Sequence, residues 1–222
     1  MSRPPSPARP PDLVSRGLVG VCLLLFLGPL LLWLLGGSPA WTQRLHALLA
    51  LPRPSSPDFH LWQPLTYAFI HGGWIHLLFN VLGLWLFAPP LEEVRGRQWL
   101  LETFLASVLW AGIVHVLLAP WLQESAVLIG ASGGLYGLMV AFALHFPEER
   151  LPLLPGLEVK ARTLALVYGG LELYLLFPVL PGAAWLDQQL GHVAHLAHLG
   201  GMLGGLMLGR PPATGWPPPA TR

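Results

Sequence analysis

Charged side chains are scarce in this sequence, since Lys, Arg, Asp and Glu together make up 10% of its residues. A soluble domain usually contains about 25% charged residues. Hydrophobic residues make up 54% of the chain instead, and three long runs, at 19–37, 65–91 and 125–146, contain no Lys, Arg, Asp or Glu. A helix needs roughly 20 apolar residues to cross the hydrocarbon core of a bilayer. The sequence therefore predicts an integral membrane protein.

Cysteine is almost absent as well, because Cys22 is the single one in the chain. One cysteine excludes an internal disulfide framework and a cysteine metal site. The net charge of +1 gives no indication of a nucleic-acid partner. Both ends are rich in proline and polar residues, so 1–16 and 210–222 are predicted to be disordered cytoplasmic tails.

The fold predicted for 17–209 is an all-α, polytopic bundle of six transmembrane helices. The six predicted helices, separated by polar or Pro- and Gly-rich joints, are 17–36, 66–88, 98–119, 127–146, 160–180 and 190–209. The first could be read as a signal peptide, but its apolar core exceeds the usual length of roughly 7–15 residues, which favours a retained helix. The semi-polar segment 38–64 carries Trp41 and Trp62, and is predicted to lie in the membrane interface, which tryptophan favours.

The distribution of Lys and Arg predicts the orientation of these helices. With six spans, ten of the cations fall on one side: Arg3, Arg9, Arg16, Arg95, Arg97, Arg150, Lys160, Arg162, Arg210 and Arg222. The other side has only Arg44 and Arg53. The positive-inside rule then places both termini in the cytoplasm, and the short chain suggests a bacterial inner membrane.

Several ionisable or polar side chains fall inside the predicted spans, where their cost makes a functional role the default hypothesis. These residues are His71, His76, Asn80, His115, Ser132, Tyr136, Glu172, His192, His195 and His198. In the second, fourth and sixth spans they lie in the outer half of the bilayer. At 1.5 Å per residue, Ser132 is about 8 Å, His198 about 12 Å and His76 about 15 Å from the outer ends of their helices.

Glycine spacing would let the fourth and sixth spans pack closely if their surfaces meet. Gly201 and Gly205, four residues apart, permit close approach of two helices, and the fourth span is glycine-rich around Ser132. A histidine of the sixth span could then reach the Ser132 hydroxyl, which is the minimum for nucleophilic acyl transfer. Because no carboxylate is predicted in this cluster, a Ser-His dyad is expected rather than a triad.

Four stretches resemble the rhomboid family of intramembrane serine proteases. They are HGGWIHLLFN at 71–80, LEEVRG at 91–96, GASGGLYG at 130–137 and AHLGGMLGG at 197–205. The resemblance covers about 58–209. It implies a cavity open to the outside and cleavage of single-span membrane proteins within the bilayer, with no metal, organic cofactor or nucleic acid.

By position, the resemblance implies a role for each matching residue. Ser132 is the expected nucleophile and His198 the general base, while His76 and Asn80 donate to the oxyanion. The expected supporting residues are Gly130 in the nucleophile loop, Tyr136 packed on the imidazole of His198, and His71 near the cavity. Span five and the loop 180–185 are the expected gate and cap. One departure is Trp62-Gln63, where many relatives have Trp-Arg.

Other interpretations of the same residues stay open at this point. An inactive rhomboid-like protein that binds membrane clients is the main alternative, and a metal transporter using His192, His195 and His198 is a weaker one. GASGG also matches the nucleophile elbow of α/β-hydrolases, but that motif must follow a strand, and no strand pattern precedes it. Glu172 is interpreted as a gating residue or, preferably, as a neutral carboxyl bonded to another helix.

Overall fold

The computed structural model describes residues 12–38, 40–122, 127–154, 156–190 and 194–211. Its helices are α1 (Leu13–Leu34), α2 (Ala40–Leu49), α3 (Gln63–Thr66), α4 (Trp74–Arg95), α5 (Arg97–Leu122), α6 (Ser132–His145), α7 (Ala161–Leu175), α8 (Ala183–Leu190) and α9 (His195–Leu208). The strands are β1 (Leu51–Pro52), β2 (Val127–Leu128), β3 (Arg150–Leu154) and β4 (Leu157–Lys160). Helix α9 packs mainly against α5 and α6, and these three helices form the centre of the bundle.

Each of the six predicted spans contains a helix, and the chain is an all-α membrane bundle as predicted. Three described helices, α1, α4 and α5, are long and apolar enough to cross a membrane. Helices α6, α7 and α9 have 14, 15 and 14 residues, fewer than the roughly 20 that a full crossing takes. Non-helical backbone is tolerated at membrane depth where protein buries it, and Leu128, Gly130 and Ala131, which precede α6, are buried in this way.

Helix α1 begins earlier than predicted, at Leu13 rather than 17, so the predicted tail 1–16 is too long. The cause is Glu92 on α4, which is 4% exposed. Its carboxylate accepts hydrogen bonds from the backbone N–H groups of Val14 and Ser15, at 3.0 and 2.8 Å, and from the Ser15 hydroxyl at 2.6 Å. These bonds satisfy N–H groups that a helix start leaves open. The rest of that tail, 1–11, and 212–222 lie outside the described residues.

Two short antiparallel strand pairs were not predicted, and one of them bears on the site. Leu51 pairs with Leu128 and Pro52 with Val127, which ties the first loop to the segment leading into α6. The other pair, β3 with β4, closes a hairpin between α6 and α7. Beside that hairpin, exposed Glu148 bonds Lys160 at 2.7 Å, and this bond together with Arg162 lowers the pKa of the carboxyl.

Gln63 stands where the sequence resemblance predicts an arginine, and its side chain anchors the first loop through hydrogen bonds. The side chain is fully buried. Its Oε1 accepts from the His60 backbone N–H at 2.6 Å. Its Nε2 donates to the carbonyls of Ala47, Leu48 and Asp58 at 3.2, 3.4 and 3.0 Å. An uncharged amide thus holds the loop with both its donor and its acceptor.

Replacing Gln63 with leucine is therefore expected to lower the free energy of unfolding by about 2 kcal/mol, because buried backbone groups lose their partners. Equilibrium unfolding in mixed micelles measures this. Gln98→Leu is the matched control, since Gln98 on α5 is exposed and bonds across the helix surface to Glu102. Equal stability losses in both variants would contradict the proposed clamp.

Candidate active site

Ser132 is the first residue of α6, and Gly130, two residues earlier, turns the chain that leads into this helix. Gly130 has φ +107°, a left-handed conformation that residues with a side chain rarely adopt. Its N–H donates to the carbonyl of Tyr67 at 2.9 Å. A Cβ at Gly130 would overlap the ring of His76. The turn therefore brings His76 against the loop that precedes Ser132, and the N–H of Ser132, as the first residue of α6, has no acceptor inside its helix.

Backbone-to-backbone packing brings α9 to α6, a contact that the glycine spacing permits. A Cβ on Gly201 would overlap the carbonyl of Gly133, and one on Gly205 would overlap that of Gly137. Only glycine permits this separation of the two helices. Since Gly133 follows Ser132 directly, the contact fixes the start of α6 against the second turn of α9.

This packing places His198 against Ser132. The distance from His198 Nε2 to Ser132 Oγ is 2.8 Å, and the imidazole belongs to a residue that is 4% exposed. The ring of Tyr136 stacks on that of His198, with centroids 4.1 Å apart and planes at 9°. This is the contact that the resemblance implied, and it holds the imidazole in one plane.

A carboxylate also lies in this cluster, so the expectation that none would be there is wrong. Glu172 on α7 is 4% exposed, and its Oε1 lies 2.9 Å from His198 Nδ1. The expected dyad rests on polar residues of α4, α6 and α9 alone. A carboxyl inside a span marks Glu172 as unusual, but the sequence gives no sign of the direction in which α7 turns it.

The predicted oxyanion donors, His76 and Asn80, lie on α4, and the His76 ring is next to Gly130. The Nδ2 of Asn80 donates to the carbonyl of His76 at 2.8 Å, one turn earlier on α4, and Asn80 is buried. His71 is also buried, with its ring 5.1 Å from that of His76 in an edge-to-face contact. His71 lines a cavity of about 380 Å³ that lies among α1, α2 and the start of α4.

The remaining candidate histidines are His195, His115 and His192. His195 opens α9 and lies between two carboxylates, with Nδ1 2.6 Å from Glu172 Oε2 and Nε2 3.1 Å from Asp187 Oδ1. Asp187 on α8 is not among the residues that the sequence singles out. His115 is buried on α5. His192 lies outside the described residues.

Together these groups can support one type of chemistry. A hydroxyl bonded to an imidazole can lose its proton as it attacks a carbonyl carbon. The carboxylate at the far nitrogen of the ring can hold the tautomer that this step needs. The free N–H groups at the start of a helix can stabilise negative charge that develops on the attacked oxygen.

Known proteins resemble this chain over most of its length. A family model described as "Rhomboid domain" matches residues 58–211. The chain is 28% identical to the rhomboid protease GlpG of Serratia proteamaculans over 195 residues, which is 88% of this chain and 61% of that protein. It is 30% identical to the putative rhomboid protease YdcA of Bacillus subtilis over 149 residues, or 66% of this chain and 65% of that protein.

A plant protein is similar to the same degree. Identity to the rhomboid-like protein 11, chloroplastic, of Arabidopsis thaliana is 30% over 155 residues, which cover 68% of this chain and 52% of that protein. The chain thus spans between about half and two thirds of the length of these relatives. Since the family model matches well over half of the chain, this protein belongs to the rhomboid family.

Proposed function

We propose that this protein is an intramembrane serine endopeptidase that cleaves transmembrane segments of other membrane proteins. The observation that carries the proposal is the 2.8 Å contact between the Ser132 hydroxyl and Nε2 of the buried His198. Membership of the rhomboid family supports it, because that family consists mostly of serine proteases.

The reaction proceeds in two stages under this proposal. As Ser132 Oγ attacks the carbonyl carbon, His198 Nε2 takes the hydroxyl proton and the carbonyl oxygen becomes an oxyanion. The Ser132 N–H and the side chains of His76 and Asn80 donate to that oxyanion. His198 then gives the proton to the leaving amine, the peptide C–N bond breaks, and water hydrolyses the acyl-enzyme by the same route.

The substrates that suit this site are single-span membrane proteins. An intact helix hides its carbonyl groups in its own hydrogen bonds, so the substrate has to unwind locally before Ser132 can reach the scissile carbon. Residues that weaken a helix near the outer membrane face are therefore the expected cleavage sites. We place α7 as the gate through which such a segment enters, and the segment 180–185, which runs into the start of α8, as the cap.

The bias of Lys and Arg supports an orientation with both termini in the cytoplasm. Under this orientation the start of α6 opens toward the exterior side, which is where Ser132 would meet water. We propose the bacterial inner membrane as the location. Fusing a reporter that is active in only one compartment to each end of the chain tests the orientation.

The function is tested with the purified protein in liposomes, a panel of tagged single-span substrates and a fluorophosphonate probe. We expect cleavage of some substrates and covalent labelling at Ser132, both lost in Ser132→Ala. Ser55→Ala is the matched control, because Ser55 is exposed in the first loop. If the wild-type protein binds these helices but neither cleaves them nor reacts with the probe, it is an inactive client-binding member of the family.

A further inference from the structure

Glu172 is the point where three hydrogen bonds from two other helices converge on α7. Its Oε1 accepts from the Tyr136 hydroxyl at 2.5 Å and from His198 Nδ1 at 2.9 Å, and its Oε2 accepts from His195 Nδ1 at 2.6 Å. The residue is 4% exposed. A carboxylate this buried is stable as a charged group only when strong donors surround it, and here it has three.

The Glu172 carboxylate bonds Nδ1 of His198, whereas Ser132 contacts the other ring nitrogen, Nε2, and this arrangement matters for the reaction. A carboxylate only accepts hydrogen bonds, so Nδ1 of His198 carries a proton that it donates to Glu172. That leaves the lone pair of Nε2 facing the Ser132 hydroxyl 2.8 Å away. The tautomer required of a general base is thereby fixed. When Nε2 takes the proton, the positive ring lies 2.9 Å from a negative carboxylate oxygen.

The side chains of His195 and Tyr136 in turn hold Glu172 in place by hydrogen bonds. His195 has a carboxylate oxygen at each ring nitrogen, from Glu172 and Asp187, and donating to both requires its charged form. Tyr136 stacks on His198 and donates to the same oxygen of Glu172 that His198 uses. The carboxylate therefore has one orientation, set by groups on α6, α8 and α9.

We propose that Glu172 is a positioning residue for the reaction, which completes a Ser132–His198–Glu172 triad in which the acidic member is contributed by α7. This inference deepens the proposed function and rests on it. Glu172 orients the His198 imidazole and stabilises its charged form, but does not touch the substrate. Because Glu172 lies on α7 and His198 on α9, the triad is complete only while these two helices remain packed together.

A purely structural role is the competing explanation, and Glu92 provides the comparison. Both residues are buried glutamates that are 4% exposed, and both accept three hydrogen bonds from a different helix or helices. Glu92 bonds the start of α1 and is not part of the proposed site. The change from glutamate to glutamine removes a buried charge in either case, so it tests the two positions with the same chemistry.

The experiment compares Glu172→Gln, Glu172→Asp and Glu92→Gln with the wild type in liposomes. The readouts are kcat and KM for one single-span substrate, the rate at which fluorophosphonate inactivates Ser132, and the thermal unfolding midpoint. For Glu172→Gln, kcat is expected to fall by about 10²- to 10⁴-fold, the upper figure being that of the acidic member of a known triad. KM should change by less than about twofold, the inactivation rate should fall with kcat, and Glu172→Asp should recover part of the loss.

Three outcomes would overturn the inference. In the first, Glu172→Gln loses no more kcat than Glu92→Gln at equal folded fraction. In the second, the loss appears in KM alone. In the third, Glu172→Asp is no more active than Glu172→Gln. Should Glu172→Gln not fold, a folded Glu172→Asp with lowered kcat and unchanged KM supports the inference, and an unchanged kcat overturns it. A wild-type protein that neither cleaves nor labels contradicts the proposed function instead.

Discussion

Replacing Ser132, His198 or both with alanine is expected to lower kcat for cleavage of a single-span substrate by the same large factor, at least about 10⁴-fold. The two side chains act as one unit across a 2.8 Å contact. Without the imidazole, the hydroxyl keeps its proton and is a poor nucleophile. Without the hydroxyl, the imidazole has nothing to deprotonate. Removing the second residue therefore costs little once the first is gone.

Single-turnover assays in liposomes measure this effect, with each variant reconstituted at equal folded amounts. Ser55→Ala and His60→Ala are the controls, because they change the same residue types in the first loop, away from Ser132 and His198; the His60 ring stacks on Trp62. Both controls should keep wild-type kcat. If the double variant loses the product of the two single losses, the residues act independently and the proposed nucleophile–base pair is wrong.

The sequence predicts well those features that depend on spacing along one helix. His76 and Asn80 share a face of α4 because they are four residues apart, and the Asn80 amide indeed reaches the His76 carbonyl. The glycines of α6 and α9 predict close approach without naming a partner. If these glycine-rich surfaces meet, Ser132 comes within reach of a histidine of α9, and the structure shows that contact.

Features that depend on rotation of one helix against another could not be predicted in this way. Glu172 stood out because a carboxyl inside a span is costly, yet nothing in the sequence of α7 says which neighbour it faces. Packing across α6 and α9 decides that, and it turns Glu172 toward His198 and His195. The hydrogen bonds of Gln63 could not be predicted for a similar reason, because its partners are backbone groups of a folded loop.

The ends of the helices follow from tertiary contacts as well. The apolar run before Ser132 favoured a helix from 127, but α6 begins at Ser132, since Val127 and Leu128 pair with the first loop and Gly130 turns the chain. Hydrophobicity sets the depth of a segment in the membrane, whereas these contacts decide where its helix starts. The start of α6 is the detail on which the N–H donors of the proposed site depend.

Replacing Gly201 with alanine is expected to damage both stability and activity, although alanine is the better helix former by about 1 kcal/mol. The added Cβ would overlap the carbonyl of Gly133. Backbone atoms cannot rotate away as a side chain can, so α9 has to move from α6. Overpacking of this kind costs about 1–3 kcal/mol or more. His198 lies one turn earlier on α9, and a shift of about 1 Å at a reacting group can cost about 10²-fold in rate.

Gly20→Ala makes the same chemical change, but its effect on stability is expected to have the opposite sign. Gly20 is an exposed glycine of α1, and no neighbouring atom lies within 4 Å of where its Cβ would be. Equilibrium unfolding in mixed micelles should show Gly20→Ala as neutral or more stable, and Gly201→Ala as less stable by about 1–2 kcal/mol. Substrate kcat should be unchanged in the first and lowered at least about 10²-fold in the second. If both variants gain stability and keep kcat, α6 and α9 are not in backbone contact at Gly201, and the packing that joins Ser132 to His198 must have another origin.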